Sequence, residues 1–92
     1  MITSNNTSIH QHGANTYVTL HATHVVTFDD AWVILRTGGY FTVTTKRRMN
    51  EASTHFDLGY RVIQQNYKWR VVFDDGREAL PFGDHTWVAF RR

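Results

Sequence analysis

The chain has 92 residues, a net charge of +2 with histidine neutral, and no cysteine. That length supports one domain. It excludes disulfides and zinc–thiolate sites, and no apolar run reaches the ~18 residues of a membrane helix. An apolar fraction of 41% and thirteen aromatic residues supply a thin core, because each aromatic can bury about 150–250 Å². The absence of cysteine suits a reducing cytoplasm.

Residues 1–15 are polar, without period and without a charged-then-apolar leader pattern, and read as a flexible tail ahead of a single domain over 16–92. Residues 16–22 alternate, with Val18, Leu20 and Ala22 on one side, which predicts a strand. Residues 24–28 continue in the same style. Asp29-Asp30 separates them from a second apolar run, 31–35, and the two predict a hairpin. Thr37-Gly38-Gly39 predicts a turn, and 40–44 predicts another strand.

The period then changes. Met49, Ala52, Ser53 and Phe56 fall at helical spacing, which predicts a helix over about 46–57, capped by Thr44 or Thr45 and ended by Gly59. Residues 60–65 and 68–73 read as strands around an Asn66-Tyr67 turn. Asp74-Asp75-Gly76 predicts a hairpin leading to 77–82. Pro81 marks that strand as an edge or a break. Gly83-Asp84 turns the chain into a last strand, 85–90. The fold class is therefore α+β: about seven short antiparallel strands in a curled sheet or partial barrel around one helix.

Charge is unevenly spread. Seven cations (Arg36, Lys46, Arg47, Arg48, Arg61, Lys68, Arg70) fall between residues 36 and 72, against two acids, Glu51 and Asp57. Lys46, Arg47 and Arg48 fall in the first turn of the predicted helix, where the macrodipole disfavours cations. A broken local rule directs attention to that segment. Strand alternation puts Arg61, Lys68 and Arg70 on one face, with Tyr67 beside them. Lys46, Arg47, Arg48, Arg61, Tyr67, Lys68 and Arg70 are thus the candidate binding residues, facing phosphates or an acidic protein surface.

The catalytic candidates are weaker. Asp29-Asp30 and Asp74-Asp75 sit where turns are needed, and Asp is favoured there for its own backbone hydrogen bonds. Ser53, His55 and Asp57 are spaced by two, which scatters them round a helix. His10, His12, His21 and His24 show no fixed carboxylate partner, so no metal site and no cofactor is expected. Trp32, Trp69 and Trp87 lie on alternating strands and are expected in the core or at its rim. Tyr40 and Tyr67 are the aromatics expected outside.

The stretch Thr42-Val43-Thr44-Thr45-Lys46-Arg47-Arg48-Met49-Asn50-Glu51, followed by Leu58-Gly59-Tyr60-Arg61-Val62, Trp69-Arg70-Val71 and Leu80-Pro81-Phe82-Gly83-Asp84, resembles small bacteriophage- and prophage-encoded proteins over the second half of the chain. Small phage proteins of this kind often bind and block a host component, anti-CRISPR proteins being the sharpest example. The resemblance implies a non-enzymatic accessory protein of the bacterial host's cytoplasm, whose partner is a host protein or ribonucleoprotein complex. The alternative is a nucleic-acid-binding module using the same basic face, and a third reading is a small metal-dependent hydrolase or nuclease.

Overall fold

The computed structural model describes residues 6–82 and 86–92. Eight strands and one helix follow in the order β1 (Thr7–His12), β2 (Asn15–Leu20), β3 (Thr23–Phe28), β4 (Trp32–Arg36), α1 (Val43–Phe56), β5 (Tyr60–Gln65), β6 (Lys68–Phe73), β7 (Leu80–Pro81) and β8 (Trp87–Arg91). The fold is α+β, and every strand pair is antiparallel. The strands form two sheets rather than one curled sheet: β1-β2-β3-β4-β8 and β5-β6-β7. The barrel does not close because β8 returns to β4 and not to β7, which leaves the two sheets to face each other.

The expected tail is a strand from Thr7 onward, paired with β2 from Thr7↔Leu20 to His12↔Asn15. Its inward positions are Thr7, buried, and Ile9, half-buried against the core. With one apolar residue facing inward, the segment carries too little alternation to read as a strand. Residues 1–5 of that tail lie outside the described residues, as does the Gly83-Asp84 turn.

The core follows strand alternation. Val18, Val26, Phe28, Val33, Leu35 and Phe90 line the inner face of the larger sheet, and Tyr60, Val62, Trp69 and Val71 that of the smaller. Met49 and Ala52 of α1 complete it. Edge-on ring contacts join the two layers, Tyr60 to Phe90 at 5.5 Å and Phe73 to Phe90 at 4.9 Å.

The helix starts earlier than expected. Thr42, not Thr44 or Thr45, is the N-cap, and its Oγ1 accepts from the Thr45 N–H at 3.1 Å. The expected 40–44 strand is therefore absent. Val43 and Thr44 are β-branched and mimic a strand, but the cap and the packing of Met49 override that weak preference. The helix ends at Asp57, which is left-handed at φ 54°, and the Leu58 N–H closes back on Ser53 O at 2.9 Å.

Turn chemistry holds the remaining connections. Asp29 Oδ1 accepts from the N–H groups of Ala31 and Trp32, both at 2.8 Å, and closes the β3–β4 hairpin. Gly38 sits at φ +62°, where a Cβ would meet Thr23 Oγ1 at 2.7 Å, so the turn after β4 excludes a side chain. The 77–82 strand is short: only Leu80–Pro81 pairs with β6, as the outer strand of its sheet.

The free edge of β5 is covered by α1. The Asn50 side chain accepts from Val62 N–H at 2.7 Å and donates to Val62 O at 2.9 Å. Ser53 Oγ accepts from Tyr60 N–H at 3.1 Å and donates to Tyr60 O at 2.6 Å. Lys46 Nζ reaches Gln64 Oε1 at 3.5 Å one step further along. Polar residues at helical spacing thus stand in for a neighbouring strand, which satisfies an edge that would otherwise be open.

Candidate functional site

The seven residues singled out from sequence separate into two groups. Because α1 begins at Val43, Lys46, Arg47 and Arg48 fall in its second turn and not its first. The macrodipole argument for them weakens accordingly. Arg48 points to the fold: it pairs with Glu51 at 2.6 Å, and its Nε donates to Thr7 Oγ1 at 3.0 Å, tying the helix to β1. Lys46 leans on Gln64. Arg47 is exposed.

Arg61, Lys68 and Arg70 do share a face. The register Arg61↔Val72, Ile63↔Arg70, Gln65↔Lys68 puts all three on the outward side of the β5–β6 ribbon. Tyr60, Val62, Trp69 and Val71 take the buried side. Diagonal neighbours such as Arg61 and Arg70 stand about 7–8 Å apart on such a ribbon. Arg70 donates to Gln65 Oε1 at 3.3 Å. Among the described residues, none of the three cations forms an ion pair.

Asn66-Tyr67 joins these strands. Both residues have positive φ, 52° and 66°, the signature of a two-residue type I′ turn. Tyr67 is 96% exposed. Glycine is preferred at that position, since a side chain in the left-handed region costs roughly 1–2 kcal/mol. A strained, fully exposed tyrosine stabilises nothing inside the fold, and strain of this kind collects at contact sites. Tyr67→Gly is expected to raise the unfolding free energy by about 0.5–1 kcal/mol, read as an upward shift in urea midpoint; a fall in the midpoint would contradict it.

The acidic pairs behave as turn residues. Hydrogen bonds from Ala31 and Trp32 N–H groups hold the Asp29 carboxyl below the usual carboxylate range, and the Arg77 N–H does the same for Asp75. Ser53 Oγ is committed to the Tyr60 backbone, so it is not aligned with His55 as a relay. Among the described residues no group of three or more His, Asp or Glu side chains could hold a metal ion.

The structure also shows a surface that sequence reading missed. The registers set Tyr17, Thr27, Ile34 and Ala89 in one row on the outward face of the larger sheet, with His10 at its end. His10 stacks on Tyr17 at 5.1 Å and Tyr17 meets His24 at 4.8 Å, while His24 Nδ1 shares a hydrogen bond with Thr19 at 2.8 Å. Trp32 and Trp87 lie on this same face, 43% and 56% exposed, and only Trp69 is a core tryptophan. Alternation placed each Trp on one side of its strand but not which side was inward. The buried neighbours Val33, Leu35 and Phe90 decide that.

A cavity of about 600 Å³ opens beside the start of α1, lined by Leu20, His21, Thr23, Thr37, Tyr40 and Thr45 among others. Its buried hydroxyls are satisfied: Thr37 Oγ1 bonds to Thr86 O and Gly39 N, and Thr45 Oγ1 to Thr42 Oγ1.

By class this is a small α+β domain of one helix and two antiparallel sheets, with Arg61, Lys68 and Arg70 on the outward face of one hairpin. The chain belongs to the Kyanoviridae Gp96 protein family, a phage family whose profile matches residues 1–89. That match extends the resemblance from the second half of the chain to nearly all of it. No curated protein and no solved structure matches the chain. No helix among the described residues is long and apolar enough to cross a membrane.

Proposed function

We propose that this phage protein is a non-enzymatic accessory factor that binds a host macromolecule through the tip and outward face of the β5–β6 hairpin. The carrying observation is the combination on that hairpin: an exposed, left-handed Tyr67 at the tip next to Lys68, with Arg70 and Arg61 further along the same outward face and no carboxylate paired to these cations among the described residues. An aromatic anchor at the tip of a cationic hairpin face suits an acidic patch on a protein or ribonucleoprotein. Phage origin directs the partner toward host machinery, a defence complex in the anti-CRISPR manner being the specific reading. Lys46 and Arg47 extend the basic surface, whereas Arg48 belongs to the fold.

Direct nucleic-acid binding is the second reading, favoured by the exposed ring of Tyr67, which offers a stacking face at the tip of a hairpin that carries three outward cations. Arg61→Glu/Lys68→Glu/Arg70→Glu tests the surface under both readings. It is expected to weaken partner binding at least tenfold, about 1.4 kcal/mol, while leaving the melting temperature unchanged. Binding of labelled single-stranded DNA or RNA that falls steeply with salt would select the nucleic-acid reading. Capture of a defined host complex after nuclease treatment would select the protein reading. Capture undiminished in the folded triple variant would remove the hairpin from the interface.

A further inference from the structure

Strand edges are potential docking sites, and this molecule treats its edges differently. β5 is covered by Asn50 and Ser53 of α1, and β7 carries Pro81, two of the devices that keep edges from pairing. β8, at one end of the larger sheet, carries neither.

The ladder decides what β8 presents. Thr37 N–H donates to Thr86 O at 2.8 Å and Arg92 N–H to Ala31 O at 2.7 Å. In the antiparallel alternation, those bonds make Leu35/Val88 and Val33/Phe90 the hydrogen-bonded pairs of β4 and β8. The N–H and C=O groups of Trp87, Ala89 and Arg91 therefore point away from β4, toward the open edge. Their side chains all lie on the outward face, and all three residues are exposed.

The side-chain pattern along that edge, Trp87-Ala89-Arg91, is self-complementary about Ala89. Within the chain, β4 sets Trp32 opposite Arg91 and Arg36 opposite Trp87, with the Arg91 guanidinium 5.4 Å from the Trp32 ring centroid. We propose that β8 pairs with β8 of a second copy of this chain, antiparallel about a two-fold axis through Ala89. That register sets Ala89 against the partner's Ala89 and Trp87 against the partner's Arg91. Each outer row then alternates Trp32, Arg91, the partner's Trp87 and the partner's Arg36, so every guanidinium meets an aromatic face. Ile34 and Ala89 make the middle row apolar.

The alternatives are poorer. A register centred on Arg91 sets like charges opposite each other, which destabilises a cross-strand pair. One centred on Trp87 pairs less of the strand. In the register centred on Ala89 each open N–H of one β8 meets an open carbonyl of the other, as a self-complementary two-fold interface requires. Arg91 O already accepts from Arg77 at 2.6 Å, and a carbonyl oxygen has a second lone pair for the partner. The two copies would share one continuous sheet of ten strands, twice the five of the larger sheet.

Sedimentation velocity on the full chain tests this surface independently of the hairpin. The expected result is a species of twice the monomer mass that grows with concentration from the micromolar to the submillimolar range. Ala89→Pro removes the central N–H, which the β4–β8 ladder does not use, and Trp87→Arg sets guanidinium against guanidinium. Each is expected to weaken dimerisation at least about tenfold. Trp87→Glu gives the partner's Arg91 a carboxylate and should keep the dimer. Amide exchange at Trp87, Ala89 and Arg91 in the unmodified protein should slow as concentration rises, a readout that needs no variant. A monomer throughout the range, concentration-independent exchange, or a dimer unchanged in folded Ala89→Pro and Trp87→Arg proteins would each overturn the pairing. The last result would move the contact elsewhere, β1 being the other outer strand of the same sheet.

Discussion

Ser53→Ala is expected to lower the unfolding free energy by about 2–3 kcal/mol, a large loss for the removal of one oxygen atom. The hydroxyl is buried and serves the Tyr60 N–H and C=O together. Alanine is a better helix former than serine, so local propensity predicts a small gain. Against it stand two backbone groups left unpaired where water has little access, each costing about 1–3 kcal/mol. The buried penalty wins. For a domain of this size, the melting temperature should fall by roughly 10–20 °C. Asn50→Ala opens the neighbouring step at Val62, but Asn50 is half-buried and water can replace part of what is lost, so about 1–2 kcal/mol is expected. Asn50→Asp should fall between, because a carboxylate still accepts from the Val62 N–H but cannot donate to Val62 O. Thermal unfolding followed by circular dichroism reads all three, and a shift below about 2 °C for Ser53→Ala would mean that the helix does not stabilise the β5 edge.

Tyr60 is expected to make the protein sensitive to alkali. Its ring is in the core and its hydroxyl donates to Met49 O at 2.6 Å. Burial pushes its phenol far above the ordinary value near 10. The folded state therefore keeps a proton that the unfolded state releases. A raised folded value leaves stability fully present below pH 10 and removes it as pH rises, by about 1.4 kcal/mol per pH unit. Tyr60→Phe should cost about 1–1.5 kcal/mol at neutral pH, from the lost hydrogen bond, but remove that slope. The two stability curves should then cross at about pH 11. Lysine and arginine titration is common to both proteins and cancels in the difference. Denaturant midpoints between pH 7 and 11.5 measure the crossing; parallel curves would show that the phenolate is accommodated in the fold.

The same region shows why part of the fold was legible. The β5–β6 hairpin was read from sequence with its bounds, because Tyr60, Val62, Trp69 and Val71 alternate with polar residues and Asn66-Tyr67 interrupts them. The Asp29-Asp30 turn was equally readable, since an aspartate that bonds its own downstream N–H groups needs no distant partner. The outward set Arg61, Lys68 and Arg70 followed from the same period of two. Arg48 did not: its ion pair with Glu51 is local, but its bond to Thr7 depends on a strand that the polar N-terminal sequence conceals. The helix start was displaced because Thr42, Thr44 and Thr45 are all competent caps, and packing of Met49 and Ala52 selects among them.

By itself the sequence determined the α+β class, the helix, most strand centres and the basic hairpin face, because alternation, helical period and turn residues act over a few neighbours. The division into two sheets, the strand made from the polar N-terminal region, the cover over β5 and the outward placement of Trp32 and Trp87 were decided by tertiary structure. Each depends on which elements become neighbours. A period of two says that the faces of a strand differ, but only the layer packed against it says which face is buried. Spacings of three in a helix and two in a strand match only once the helix lies along that strand.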